Sequence, residues 1–207
     1  MWSYIQPFSA LYYRAMKAFL TNKPLRILLI TNSMILIAGA LLGPIYALFV
    51  TEVGGDLLDA GMTGAMFAFA AGVTVLFAGR RCDKAKYPAH IVAFGYAVMG
   101  IGYLLYLLVN SMMTLLMVQI VIGFGEAFYA PSFDALYSKH LDKNKEGGEW
   151  GSWEAMNYFS IALGAVIGGF IARQYGFGVL FIGMAILCFV SAAYMYTHSK
   201  GALSNKK

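Results

Sequence analysis

Six apolar stretches divide the chain, over about 25–50, 60–78, 89–109, 112–137, 152–172 and 177–197. About 20 apolar residues suffice for a helix to cross a bilayer, at about 1.5 Å per residue. Inside hydrocarbon each segment must satisfy its own backbone hydrogen bonds, so stretches of this length are expected to be helices. Composition supports the same class: only 12% of the 207 residues are charged, against about 25% in a soluble domain. The chain is therefore expected to be an all-α membrane protein with six transmembrane helices, and a soluble enzyme or a nucleic-acid binder is excluded.

The charges orient those helices. Arg14, Lys17, Lys23 and Arg26 precede the interior of the first stretch, and Arg80, Arg81, Lys84 and Lys86 separate the second from the third. Lys139, Lys143 and Lys145 separate the fourth from the fifth, and Lys200, Lys206 and Lys207 follow the sixth. With six spans, 14 of the 15 Lys and Arg fall on one side and Arg173 alone falls on the other. Cytoplasmic loops carry the excess of Lys and Arg. Both termini are thus expected in the cytoplasm, in an integral protein of the plasma (inner) membrane. Three regions follow: residues 1–24 as a cytoplasmic interfacial helix, 25–199 as the transmembrane domain, and 200–207 as a basic cytoplasmic tail. In the first, Phe8, Leu11, Tyr12, Ala15, Phe19 and Leu20 recur at helical spacing around Arg14 and Lys17, the pattern of a helix lying in the interface. Trp2, Trp150 and Trp153 fall near expected interfaces and read as anchors.

The fourth stretch carries the chemistry. Glu126 stands near its middle and Asp134 about two turns later, with Pro131 between them. A carboxylate at that depth is costly and is retained where it faces protein or a water-filled cavity. Gly123, Gly125 and Pro131 suggest a closely packed and locally broken helix. Asn32 and Tyr46 in the first stretch, Gln119 and Tyr129 in the fourth and Asn157 in the fifth are the other polar groups placed to line a path. Cys82 and Cys188 fall in a loop and in a span, which makes a disulfide implausible. No spacing suits a metal or a cofactor, and no nucleophile–base pair is visible, so no enzymatic activity is expected.

The loop GRRCDKAKY resembles the cytoplasmic loop between the second and third helices of the major facilitator superfamily. Gly79, Asp83 and Lys84 match that motif in place, while Lys86 stands at its second Gly and Tyr87 and Pro88 replace its later bases. The resemblance implies that Asp83 is a gate element that holds one conformational state; the alternative is that the loop bases only set topology. The fourth stretch is also similar to the family's fourth helix, with Gln119 where a base is common and Gly123 at the following Gly. In the fifth, Gly151, Gly164, Gly168 and Gly169 keep the spacing of a Gly-rich motif, with Ser160 and Ala165 replacing a Gly and a Pro. Gly164, Gly168 and Gly169 also read as a small-residue face for close helix packing. The sixth stretch, beginning near Phe177, is apolar and is expected at the periphery.

An internal repeat fits the resemblance. Shifted by 90 positions, Gly61, Ala65, Met66, Phe69 and Gly79 fall on Gly151, Ala155, Met156, Phe159 and Gly169; shifted by 87, Pro44 falls on Pro131. Three helices followed by three of opposite orientation form the inverted repeat within each facilitator half. The fold expected is thus one facilitator-type half bundle, built as a 3+3 inverted repeat. Two copies in parallel orientation, related by an axis along the membrane normal, would rebuild a twelve-helix shape. The function implied is secondary active transport by alternating access in such a homodimer. No Lys or Arg lies in the interior of any span, which suits protons, organic cations or neutral amphipathic molecules better than anions. Glu126 is the expected proton carrier. The alternative is a non-transporting membrane subunit or scaffold, or a truncated facilitator half, packed against another membrane protein.

Overall fold

The computed structural model describes residues 22–203, with nothing to be said of the side chains of residues 200–202. The helix expected over 8–21, Trp2 and the tail residues 204–207 lie outside the described residues. Among these the structure is helical throughout, and five helical stretches are long and apolar enough to cross a membrane.

Helix α1, Lys23–Leu42, starts where the Asn22 side chain accepts from the Leu25 amide and Pro24 fills the first turn, a position that needs no amide donor. It gives way to a 3-10 turn, Gly43–Ile45, and a short α2, Tyr46–Glu52. Helix α3, Leu57–Lys84, opens with a capping box between Asp56 and Asp59. Helix α4, Pro88–Leu105, ends in the 3-10 turn Tyr106–Leu108. A second capping box, Ser111 with Thr114, starts α5, Met112–His140. Each box satisfies orphan amides at a helix start from short polar side chains, so the polar residues between apolar stretches mark the helix beginnings.

The last element, α6, Glu146–Ala202, has 57 residues. A straight helix of that length would reach roughly 85 Å, far beyond a hydrocarbon core of about 30 Å. It is not straight: Gly176 has φ 79° and ψ 171°, a region that only glycine enters readily. Along the first arm, residues 146–175, Trp153 bonds Asn32, Gly164 packs on Ala40 and Gly168 on Leu41. Along the second, residues 177–202, Phe181 packs on Phe49 and Ser191 bonds the Thr31 carbonyl. The first arm runs parallel to α1 and the second antiparallel, so the chain reverses at Gly176.

Two expectations are corrected. The fourth stretch is not broken: α5 runs unbroken through Pro131. Proline removes one backbone bond, and packed neighbours and local adjustment tolerate that loss in a membrane helix. The chain departs from α geometry instead around Pro44, in the 3-10 turn Gly43–Ile45, where Ile45 has φ −112° and ψ 7° before α2 begins. The sixth stretch, expected at the periphery, buries Leu180, Phe181, Met184, Ala185, Cys188 and Met195 in the core.

The ends of the bundle sort by charge. The Asn22 amide donates to the His140 carbonyl at 3.0 Å, and the His90 and Tyr196 rings meet at 4.7 Å. This brings the start of α1, the α3–α4 turn, the end of α5 and the end of α6 together, with their Lys and Arg. At the opposite end Gly55 meets Met112 and Gly178 meets Leu107, and Arg173 lies there.

Candidate functional site

Helix α5 carries two polar clusters in an otherwise apolar bundle. In the first, Gln119 is buried, and its Nε2 donates to Tyr46 Oη at 2.5 Å and to Tyr106 Oη at 3.2 Å. Tyr46 donates in turn to Thr63 Oγ1 at 2.8 Å, and Thr63 to the Ala60 carbonyl at 2.9 Å. One amide thereby ties together α2, α3, the turn after α4, and α5. The bend at Gly43–Pro44 supplies the geometry, since it starts α2 at Tyr46 and turns that ring inward.

The second cluster lies about two turns further along α5. Glu126 is half-buried and accepts a hydrogen bond from Tyr129 at 3.1 Å. The buried Tyr129 ring meets the Tyr96 ring at 5.0 Å. The Tyr96 hydroxyl faces Asn32 and Thr31 without reaching hydrogen-bond geometry with any described residue. Asn32 is buried and accepts from the Trp153 indole at 3.0 Å, while the Thr31 carbonyl accepts from Ser191 at 2.7 Å. These groups come from α1, α4, α5 and both arms of α6. Aromatic rings continue toward the basic end: Phe133 stacks on Tyr137 at 5.7 Å, Tyr137 meets Trp150 at 4.9 Å, and Trp150 meets Trp153 at 5.7 Å.

Close helix approach allows the clusters to form. A Cβ added to Gly95 would stand 2.7 Å from the Gly125 carbonyl oxygen and the Tyr129 amide. Helices α4 and α5 therefore touch backbone to backbone beside the Tyr96–Tyr129 pair. Small residues permit such contact where lipid offers no hydrophobic drive toward association.

The sequence-derived residues sort unevenly. Tyr46 and Gln119 meet directly, and Asn32, Glu126 and Tyr129 belong to the second cluster. Asn32, Gln119 and Tyr129 are buried and engaged with protein groups rather than lining open space, whereas Tyr46 and Glu126 are half-buried. Asp134 is exposed on α5, about two turns beyond Glu126. Asn157 is half-buried, one turn beyond Trp153. Asp83 and Lys84 are exposed at the end of α3, and a Cβ on Gly79 would meet open space. Gly164 and Gly168 lie against α1, but Gly169 lines a shallow groove with Glu52 and Arg173.

Sequence reasoning missed Thr63, Tyr96 and Tyr106, and it assigned Trp153 to the interface. Trp153 is half-buried there and also donates to the buried Asn32, 121 positions away, a contact no local pattern reveals. Among the described residues no three His, Cys, Asp or Glu side chains stand together to hold a metal ion. Chemically, Glu126 keeps acceptor capacity beyond its bond from Tyr129, so its carboxyl group can exchange a proton or meet a cation.

A family model described as the Major Facilitator Superfamily matches residues 28–207. The chain is 24% identical over 185 residues to an uncharacterized MFS-type transporter of Methanocaldococcus jannaschii, a match covering 89% of this chain and 48% of that protein. It is also 24% identical over 161 residues to the uncharacterized MFS-type transporter YitZ of Bacillus subtilis, covering 76% of this chain and 96% of YitZ. The chain thus spans about half the length of the archaeal relative and nearly all of the bacterial one.

Proposed function

This chain belongs to the major facilitator superfamily, and from that premise we propose that it is one six-helix half of a secondary active transporter. Two copies in parallel orientation make the working unit, and it operates by alternating access. The reversal of α6 at Gly176 supports counting six crossings in a 3+3 arrangement, because it gives the long helix two arms of opposite direction. The gathering of the described basic residues at one end, Arg173 excepted, supports a single orientation with both termini in the cytoplasm of a plasma (inner) membrane.

The observation that carries the reading is Glu126: a half-buried carboxyl group within a span, held by Tyr129, whose ring packs on Tyr96 beside the Asn32–Trp153 pair. A carboxyl group kept inside a span marks a path for ions or substrate. Glu126 binds a proton in one access state and releases it in the other. The cargo is a cationic or neutral amphipathic small molecule, because the span interiors offer carboxylates and aromatic faces and no fixed cation. Asp83 and Lys84 act at the gate beside the α3–α4 turn.

The test is flux in proteoliposomes. A fluorescent lipophilic cation loaded inside, with a pH gradient imposed, should move faster than in empty vesicles, and Glu126→Gln should abolish the dependence on the gradient. Gradient-dependent flux retained by Glu126→Gln removes the proton role. Native mass spectrometry in nanodiscs should show two chains per particle; one chain per particle with no flux favours the non-transporting subunit.

A further inference from the structure

Helices α3 and α4 are adjacent in sequence but barely meet. Each is drawn onto α5 instead: Gly123 admits the α3 backbone at Phe67 and Ala71, and Gly125 admits α4 at Gly95 and Met99. Between them a groove of about 500 Å³ opens sideways, lined by Phe77 and Arg81 of α3, His90, Ile91 and Phe94 of α4, and Phe128 of α5. Its aromatic wall is ordered, with Phe94 edge-on to Phe128 at 5.3 Å and to Phe124 at 6.5 Å. Phe77 and Phe94 remain 68% and 48% exposed, so the groove is open along its outer side.

The groove has one polar end. Arg81 lines it near the α3–α4 turn, in a segment that also carries Arg80, Lys84 and Lys86 against the single acid Asp83. We propose that this groove holds one anionic phospholipid, with its phosphate on the Arg81 guanidinium and an acyl chain along Phe77, Phe94 and Phe128. Guanidinium matches phosphate geometry through its forked donors, and basic pockets between transmembrane helices on the basic side of a membrane protein suit anionic headgroups. The same charge argues against a second copy as occupant. A two-fold partner laid over this face in parallel orientation brings two Arg80–Lys86 loops together, and like charges there repel. The proposal does not rest on the transport reading: the groove shares no residue with either polar cluster, and only its Arg81 end adjoins the Asp83–Lys84 gate proposed above.

The experiment is native mass spectrometry of the full chain released from mild detergent containing equimolar phosphatidylglycerol and phosphatidylcholine. The expected result is one retained phosphatidylglycerol in clear excess over phosphatidylcholine. Arg81→Gln should lower that preference about fivefold, the worth of one surface cation, and Ile91→Trp should fill the groove and reduce retention of both lipids. Lys143→Gln, an exposed base of the α5–α6 loop that does not line the groove, should change the preference much less. Equal retention of the two lipids overturns the proposal. So does an equal loss from Arg81→Gln and Lys143→Gln, which would indicate diffuse attraction to a basic surface. A dimer that excludes the lipid, with monomer retaining it, would assign the groove to a second copy and overturn it as well. Lipid titration of wild-type thermal stability supplies a readout that needs no variant to fold: phosphatidylglycerol should raise the midpoint more than phosphatidylcholine, and equal shifts count against the site.

Discussion

The side-chain amide of Gln119 donates to the hydroxyl of Tyr46 at 2.5 Å, across 73 positions of sequence. The pair joins the first third of α5 to the short helix beyond the Gly43–Ile45 turn, and it shares Tyr106 and Thr63 as further partners. It is a junction of four elements held by neutral groups.

The coupling in that junction is measurable. Tyr46→Phe and Gln119→Leu should each lower thermal stability in detergent. A double-mutant cycle should return about 0.5–2 kcal/mol of coupling, the range for interhelical polar contacts in membranes. A coupling of zero would mean that the two groups do not meet in the folded protein.

Two adjacent glycines should behave differently. A Cβ on Gly168 would collide with the Leu41 carbonyl, whereas one on Gly169 would meet nothing within 4 Å. Gly168→Ala should therefore destabilise by about 1–3 kcal/mol through overpacking. Gly169→Ala should be neutral or stabilising by up to about 1 kcal/mol from helix propensity. Unfolding midpoints of the two variants, measured side by side, decide the point, and equal effects would contradict the close contact with α1.

Gly176 tests backbone conformation without packing. A Cβ there meets open space, yet φ is +79°, so Gly176→Ala carries only the strain of that region, about 1–3 kcal/mol. The thermal midpoint should fall accordingly. The reversal itself is checked by spin labels at Thr31→Cys and Ser191→Cys in a background lacking Cys82 and Cys188, which should report a short distance because Ser191 reaches the Thr31 carbonyl. A single continuous helix would leave these positions far apart.

The charge asymmetry predicts sidedness. In a background lacking Cys82 and Cys188, Lys143→Cys should resist a membrane-impermeant maleimide applied to intact cells, and Arg173→Cys should react. Both positions are exposed, so burial does not confuse the readout. The reverse pattern would invert the orientation.

Much of the architecture was legible in the chain. The apolar stretches anticipated the long helices, but the capping boxes of Asp56 with Asp59 and Ser111 with Thr114 that start two of them emerged only in the structure. Glu126 announced itself because a carboxyl group is rare and costly at that depth. Pro131 misled: it looks the same in sequence as Pro44, but the outcome depends on the neighbours that compensate the lost backbone bond. Trp153 misled for another reason, since an indole near a helix start suits an interface as well as a buried partner.

Hydropathy and charge order, by themselves, determined that this chain is a helical membrane protein whose basic segments share one end. Those properties follow from the transfer of each residue between water and hydrocarbon, which is local and additive. Tertiary structure alone decided which polar groups meet: Gln119 with Tyr46, Trp153 with Asn32, and Ser191 with Thr31 across 160 positions. In a bilayer, lipid-facing and core-facing surfaces are equally apolar. Hydrophobic periodicity therefore cannot tell which face of a helix points inward, and only the packing of glycines and the pairing of buried polar groups resolve it.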